Sequence, residues 1–226
     1  MNLRKLLGCI SAAAFAAVVV STASAGPISV SNFSFETLPA GGLPFDSCGA
    51  GCFYSDDAIP GWAISGKTAS TGQFQPGVQA SNFSFFNSVP DGITVAYTNG
   101  GTISQTVGVT VALGIVYTLL VDQGVRHDFS DPGIVELLIG TTPIVATGVA
   151  ASPGDWSTYT ATYTGLAADV GKSIAILLNS SSIQGDWDNV RLDATDATAQ
   201  VPEPATVALL SLGLAGLGFM RRKRNG

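Results

Sequence analysis

The feature that most constrains this chain is that no long stretch between residues 26 and 200 shows a helical period. Short runs of β-branched and aromatic residues recur instead, each broken by Gly, Pro, Asn or Asp. The clearest are Ile28–Phe35, Ile93–Tyr97, Thr102–Val107, Ile115–Asp122, Ile134–Ile139, Ser157–Thr164, Ile174–Asn179 and Trp187–Leu192. They predict an all-β fold, a single β-sandwich or jelly roll. Ser157–Thr164 alternates, with Tyr159, Ala161 and Tyr163 on one face and threonines on the other, as a half-buried strand does. Asn99-Gly100-Gly101 tolerates positive φ and predicts a hairpin turn between two of the runs. Ser-Asn-Phe-Ser-Phe occurs at 31–35 and again at 81–85, but the flanking residues do not match, so it is not a repeat.

The two ends are of another kind. Arg4 and Lys5 precede an apolar stretch, Leu6 to Val20, and Ala23-Ser24-Ala25 is a small-x-small cleavage site. This predicts a signal peptide over 1–25 and a mature chain starting near Gly26. Leu6-Leu7-Gly8-Cys9 imitates a lipoprotein box but precedes most of the apolar region, so it is set aside. At the other end, Pro202-Glu203-Pro204 is followed by sixteen uncharged residues, Ala205–Met220, and then Arg221, Arg222, Lys223 and Arg224. As a helix, that segment would span roughly 24 Å, short of the ~30 Å hydrocarbon core, and could cross with local thinning of the bilayer. The basic end should stay cytoplasmic, leaving everything before Ala205 outside. The body, 26–200, is long enough for one domain with a sizeable core.

That body carries four basic residues, Lys67, Arg126, Lys172 and Arg191, against fifteen acidic ones, a net charge near −11. Such a balance argues against nucleic acid and anionic membrane surfaces as partners. It is compatible with hard cations and with simple solubility. Two cysteines remain after signal removal, Cys48 and Cys52. In an oxidising compartment they predict a disulfide across Gly49-Ala50-Gly51, stabilising by at most ~2 kcal/mol for so small a ring.

Gly61-Trp62-Ala63-Ile64-Ser65-Gly66-Lys67-Thr68 matches the phosphate-loop pattern. That motif works only between a buried strand and a helix N-terminus. Here Pro60 precedes it, and Gly72 and Pro76 interrupt the segment after it. Nucleotide binding is therefore rejected, and Trp62 is expected in the core beside a Pro60-Gly61 turn. No G-x-S-x-G or H-E-x-x-H occurs, and the single histidine, His127, reads as an exposed loop residue. The chain therefore reads as non-catalytic.

Two resemblances add to this. Val-Pro-Glu-Pro, a Gly/Leu/Ala-rich segment and an Arg-rich terminus resemble the PEP-CTERM tail of bacteria that make extracellular polysaccharide. The resemblance implies that a membrane protease, the exosortase, recognises Pro202, Glu203 and Pro204 and removes the segment at 205–220. The alternative is an ordinary single-pass anchor. The tail thus comprises 201–226.

Asn32-Phe33-Ser34-Phe35-Glu36 near the start and Asp186-Trp187-Asp188-Asn189-Val190-Arg191-Leu192 near the end stand in an order that also resembles the galactose-binding-like jelly roll of many carbohydrate-binding modules. Between them lie Pro60-Gly61-Trp62, Asp91-Gly92 and Gly101-Thr102-Ile103-Ser104-Gln105. This resemblance implies neighbouring first and last strands and a structural calcium ion held by Glu36 and Asp188. Strand alternation would put Asp186, Asp188, Val190 and Leu192 on one face. Trp187, Asn189 and Arg191 would then lie on the other, where a ring flanked by polar groups suits a sugar. Trp156 could join them from a loop.

The reading is an exported surface or extracellular-matrix protein that associates with exopolysaccharide. A structural or adhesive matrix protein of the same fold is the alternative, and a matrix glycoside hydrolase stands behind both.

Overall fold

The computed structural model describes residues 26–49, 51–76, 85–128, 133–181 and 183–197. The predicted signal peptide (1–25) and sorting tail (201–226) lie outside them. Twelve strands are present among the described residues: β1 (Gly26–Ile28), β2 (Phe53–Tyr54), β3 (Ala63–Ser65), β4 (Thr71–Gln75), β5 (Val95–Thr98), β6 (Gly101–Thr110), β7 (Ile115–Gly124), β8 (Ile134–Ile139), β9 (Thr142–Val145), β10 (Trp156–Thr164), β11 (Ser173–Ser180) and β12 (Gly185–Asp196). A 3-10 turn, Ala167–Asp169, precedes β11.

The strands form two antiparallel sheets. The larger runs β10-β7-β12-β5-β4-β2, with β1 also paired to β12; the smaller runs β3-β6-β11-β8-β9. The all-β sandwich expected from the sequence is the fold observed. Between the sheets, Tyr117, Leu119 and Val121 of β7 face Val135, Leu137 and Ile139 of β8 and Ile174, Ile176 and Leu178 of β11 in one core cluster. These strands alternate buried and half-exposed residues, so each contributes one apolar face; fully burying such a side chain stabilises by roughly 1.5–3 kcal/mol. β10 follows its expected pattern: Ala161 is buried, and Tyr159 and Tyr163 pack against the same core. Trp62 is in that core too, 8% exposed, just after a turn closed by the Ile59–Trp62 bridge.

Two expectations fail for stated reasons. Asn99-Gly100-Gly101 is not a hairpin, because β5 belongs to the larger sheet and β6 to the smaller. Gly100 and Gly101 do adopt φ of +140° and +137°. That freedom serves a corner that carries the chain from one sheet to the other, tied by Thr68 N–H to Gly100 O and Asn99 N–H to Ser70 O. The run Ile28–Phe35 is a strand only as far as Ile28. It then becomes a turn, with Asn32 at φ 49° and Phe35 at φ 58°. Asn32 holds that turn through its side chain, donating to Thr37 O and Pro60 O and accepting from Thr37 N–H. The short strands β2, β3, β4 and β9 had no strong run to announce them.

Candidate functional site

β12 lies at the centre of the larger sheet, between β7 on one side and β5 and β1 on the other. Its register with β7 shifts between Asp188 and Arg191, where Asn189 adopts φ 51°. Val190 leaves the ladder and donates its N–H to Phe33 O at 2.8 Å, so the turn at 31–35 and the last strand do meet. One extra residue reverses the facing of every side chain beyond it. Trp187 therefore points between the sheets with Val190, Leu192 and Ala194, and is 0% exposed. Asp186 and Asp188 lie on the outer face instead. This corrects the expected facing: Trp187 does not share an outward face with Asn189 and Arg191, and it offers no ring to a ligand.

Asn189 and Arg191 do converge, on Asp122 of β7. Asn189 Nδ2 donates to Asp122 Oδ2 at 2.8 Å, Arg191 Nη2 to Oδ1 at 3.1 Å, and Thr158 Oγ1 to Oδ1 at 2.6 Å. Trp156 begins β10 on the same outer face, stacked on Phe86 at 4.5 Å and with Nε1 donating to Ser88 O at 2.8 Å.

The outer face of the larger sheet carries a second apolar cluster. Phe74, Val95 and Tyr97 from β4 and β5 pack with Phe86 and Cys52, and with partly buried Cys48, Tyr54, Phe85, Val89 and Trp156. Gly124 ends β7 under this layer, where a Cβ would lie 2.7 Å from Phe86. The cover consists of two segments. One is the loop Phe45–Tyr54, closed by the Cys48–Cys52 disulfide, the Phe45–Tyr54 bridge and the Ser47 Oγ···Tyr54 Oη bond. The other is the strap 85–94, tied down by Asn87 N–H to Gly154 O, His127 N–H to Phe85 O and Asp91 N–H to Asp188 Oδ2.

Between these covers opens a cleft of about 350 Å³. Its walls include Tyr54, Phe74, Phe85 and Tyr97, with Asn99, Arg126 and Gln184 among its polar groups. Arg126 stacks over Phe85 at 4.0 Å and donates to Asp128 and Gln184. Tyr97 is held by a bond from its hydroxyl to Ser55 O, and burial, then the nearby Asp56 charge, raise its pKa. Sequence reasoning missed this cleft. Its rings come from strands too short to show a period and from loops that only the fold brings together.

Asp186 pairs across the sheet with Tyr97 and accepts from Gln184 Nε2 at 2.8 Å. Its Oδ2 has no hydrogen-bond partner among the described residues. Burial is the main force pushing its carboxyl up to about 7, against the lowering influence of Gln184 and Arg126. Asp188, 0% exposed, is pushed up to about 8, chiefly by burial and further by the charges of Asp91 and Glu36. Its oxygens accept from Asp91 N–H and Asn189 N–H. Glu36 is exposed, and its carboxylate accepts from Ile93 N–H, Thr94 N–H and Thr94 Oγ1. The two expected calcium ligands thus stand around one loop, 91–94. Among the described residues, no group of three or more His, Cys, Asp or Glu side chains is assembled for a metal ion.

The phosphate-loop match has neither of its required neighbours. Lys67 is paired with Asp56 and Asp57, and the next element is β4 rather than a helix. His127 is exposed and bonded to Asn87 Oδ1.

Residues 200–224 match the PEP-CTERM protein-sorting motif, so the chain is exported with a sorting signal of that kind at its C-terminus. No helix among the described residues is long and apolar enough to cross a membrane; the segment at 205–220 lies outside them. No curated protein matches the chain. Among solved structures it is similar to the CBM22-1–GH10 modules of Clostridium thermocellum endo-1,4-β-D-xylanase 10B complexed with xylohexaose. That match has 15% identity and a TM-score of 0.40, and covers 63% of this chain and 28% of that one. It is also similar to the CBM22-2 xylan-binding domain of Paenibacillus barcinonensis Xyn10C, at 10% identity and a TM-score of 0.39, covering 62% of this chain and 94% of that one. Those scores assign neither fold nor ligand. Residues 26–193 match the HpiC1-like model, described as HpiC1 cyclase, and the chain belongs to that family.

Proposed function

We propose that this is a non-catalytic, exported glycan-binding protein that associates with extracellular polysaccharide through the cleft on its outer face. The carrying observation is the cleft itself, where four aromatic rings stand beside Asn99, Arg126, Ser70 and Gln184. Rings offer flat surface to the C–H face of a sugar, and the polar groups offer hydrogen bonds to its hydroxyls. Sorting by the tail supports the same reading, because it delivers the domain to where such polymers lie. The test is titration with neutral polysaccharides. Binding that Phe85→Ala or Asn99→Ala weakens about tenfold supports the reading. A folded sample that binds none moves the protein to the structural-matrix alternative.

One observation favours a second reading, that of a cyclase, the name its family carries. Acid-promoted ring closure needs a positioned acid that is still protonated near the working pH. Asp186, pushed up to about 7 beside Tyr97 and Gln184, has that character. Turnover that Asp186→Asn abolishes while leaving glycan binding intact would favour it.

Calcium at Glu36 and Asp188 is the second element of the proposal. A buried carboxylate with Glu36 and Asp91 as charged neighbours gains from a cation, and backbone carbonyls and water would complete its oxygen shell. Calcium should raise the melting temperature and chelator should lower it. No shift in either direction removes calcium from the account.

A further inference from the structure

The outer face holds a second recess on the far side of the strap. It measures about 440 Å³ and is lined by Ser88, Pro90, Asp122, Asp155, Trp156, Ser157 and Thr158. The strap separates the two recesses, with Phe85 lining the cleft and Ser88 and Pro90 lining this groove. Both rest on one sheet. Tyr97 is on β5 and Trp156 on β10, with β12 and β7 between them, so they stand roughly 14 Å apart at the usual strand spacing.

The groove is fixed in shape. Its tryptophan is braced by Phe86 and by the Nε1 bond to Ser88 O, yet stays partly exposed. Its strap wall is held by Asn87, whose N–H bonds Gly154 O and whose Nδ2 bonds Asp155 Oδ1. Its floor carboxylate, Asp122, is oriented by Thr158, Asn189 and Arg191. An indole, a proline ring, Ser88, Thr158 and two carboxylates suit a neutral, hydroxyl-rich ligand, while the Ser157 hydroxyl is buried away from the groove. The carboxylates accept from hydroxyls, and their charge repels an acidic one.

We propose that this groove is a second sugar subsite, so that the ligand is a polysaccharide chain passing over the strap rather than a terminal sugar. The inference rests on the cleft reading above and adds chain length to it. Trp156 also supplies a direct readout. The chain has three tryptophans, and the other two, Trp62 and Trp187, are 8% and 0% exposed, so quenching by acrylamide reports mainly on Trp156.

The test uses the exported chain in detergent, with disaccharides and longer oligosaccharides of neutral β-linked glucans and xylans as probes. Longer chains should bind roughly tenfold more tightly than disaccharides and shield Trp156 from acrylamide. Trp156→Ala should bring long-chain affinity down to the disaccharide level and leave disaccharide affinity unchanged. Trp156→Phe, which keeps a ring against Phe86, should retain part of the gain. Affinity independent of length, or quenching unaltered by a bound chain, overturns the second subsite and leaves the cleft standing. Failure of every probe to bind a folded sample overturns both.

Discussion

The two halves of β12 differ more than neighbouring stretches of one strand usually do. From Val190 to Asp196 it alternates simply, with Val190, Leu192 and Ala194 buried and Arg191 exposed. From Gly185 to Asp188 all four residues are buried, two of them carboxylic acids. The downstream half is sandwiched between core and solvent. The upstream half has the inter-sheet core on one face and the strap with its aromatic cluster on the other. Covering both faces lets a sheet hold acids away from water, and the covered end is where the cleft and the groove lie. The bulge at Asn189 joins the halves.

The sharpest way to break this comparison is to empty the core side of the upstream half. Trp187→Ala should cost about 3–5 kcal/mol, seen as a large fall in the denaturant midpoint, because the indole is fully enclosed. A loss under about 1 kcal/mol would mean that this half is not covered on both faces.

pH tests the outer side. Asp186 and Asp188 sit near 7 and 8 when folded, against 3.8 for a free carboxyl, so the folded state holds protons that the unfolded state has released. Their contribution is complete below about pH 4 and is lost as pH rises through 7 to 8. Asp56 and Asp169, whose values are lowered, act in the opposite direction, below pH 4. The melting temperature should therefore fall between pH 5 and 8.5, and Asp188→Asn should flatten that slope. Calcium, which favours the ionised form, should act most at the alkaline end.

Reducing Cys48–Cys52 should cost at most about 2 kcal/mol in a denaturation series, because the ring is small. The bulge itself gives a comparable effect. Asn189→Val should cost about 1–2 kcal/mol more than Asn189→Gly, because both lose the Nδ2 bond to Asp122 and only glycine accepts φ 51° without strain. The smallest effect belongs to the downstream surface. Arg191→Ala removes a half-exposed ion pair with Asp122 and should change stability by less than about 1 kcal/mol.

How far the sequence could be read follows the same division. Long strands with one buried face announce themselves by alternation, and β7, β8, β10 and β11 stand where their runs predict. The C-terminal tail is legible because a sorting signal is linear; the PEP-CTERM match falls on the predicted tail. Alternation cannot locate a bulge, since Asp186 to Leu192 reads equally well without one, and this alone misplaced Trp187. Asn-Phe-Ser-Phe-Glu looks like a strand because its aromatic residues alternate with polar ones, yet Phe33 is exposed. Phe35 is 0% exposed within a turn, not a strand. The cleft was invisible for a third reason. Tyr54, Phe74, Phe85 and Tyr97 lie on four separate segments, and only sheet order places them together.

The measurement closest to the central claim is calorimetric titration of the exported chain with neutral polysaccharides, repeated on Phe85→Ala and Asn99→Ala. Saturable binding is expected, weakened about tenfold in each variant while the sample remains folded. Binding untouched by both variants, or no binding from a folded sample, would contradict it.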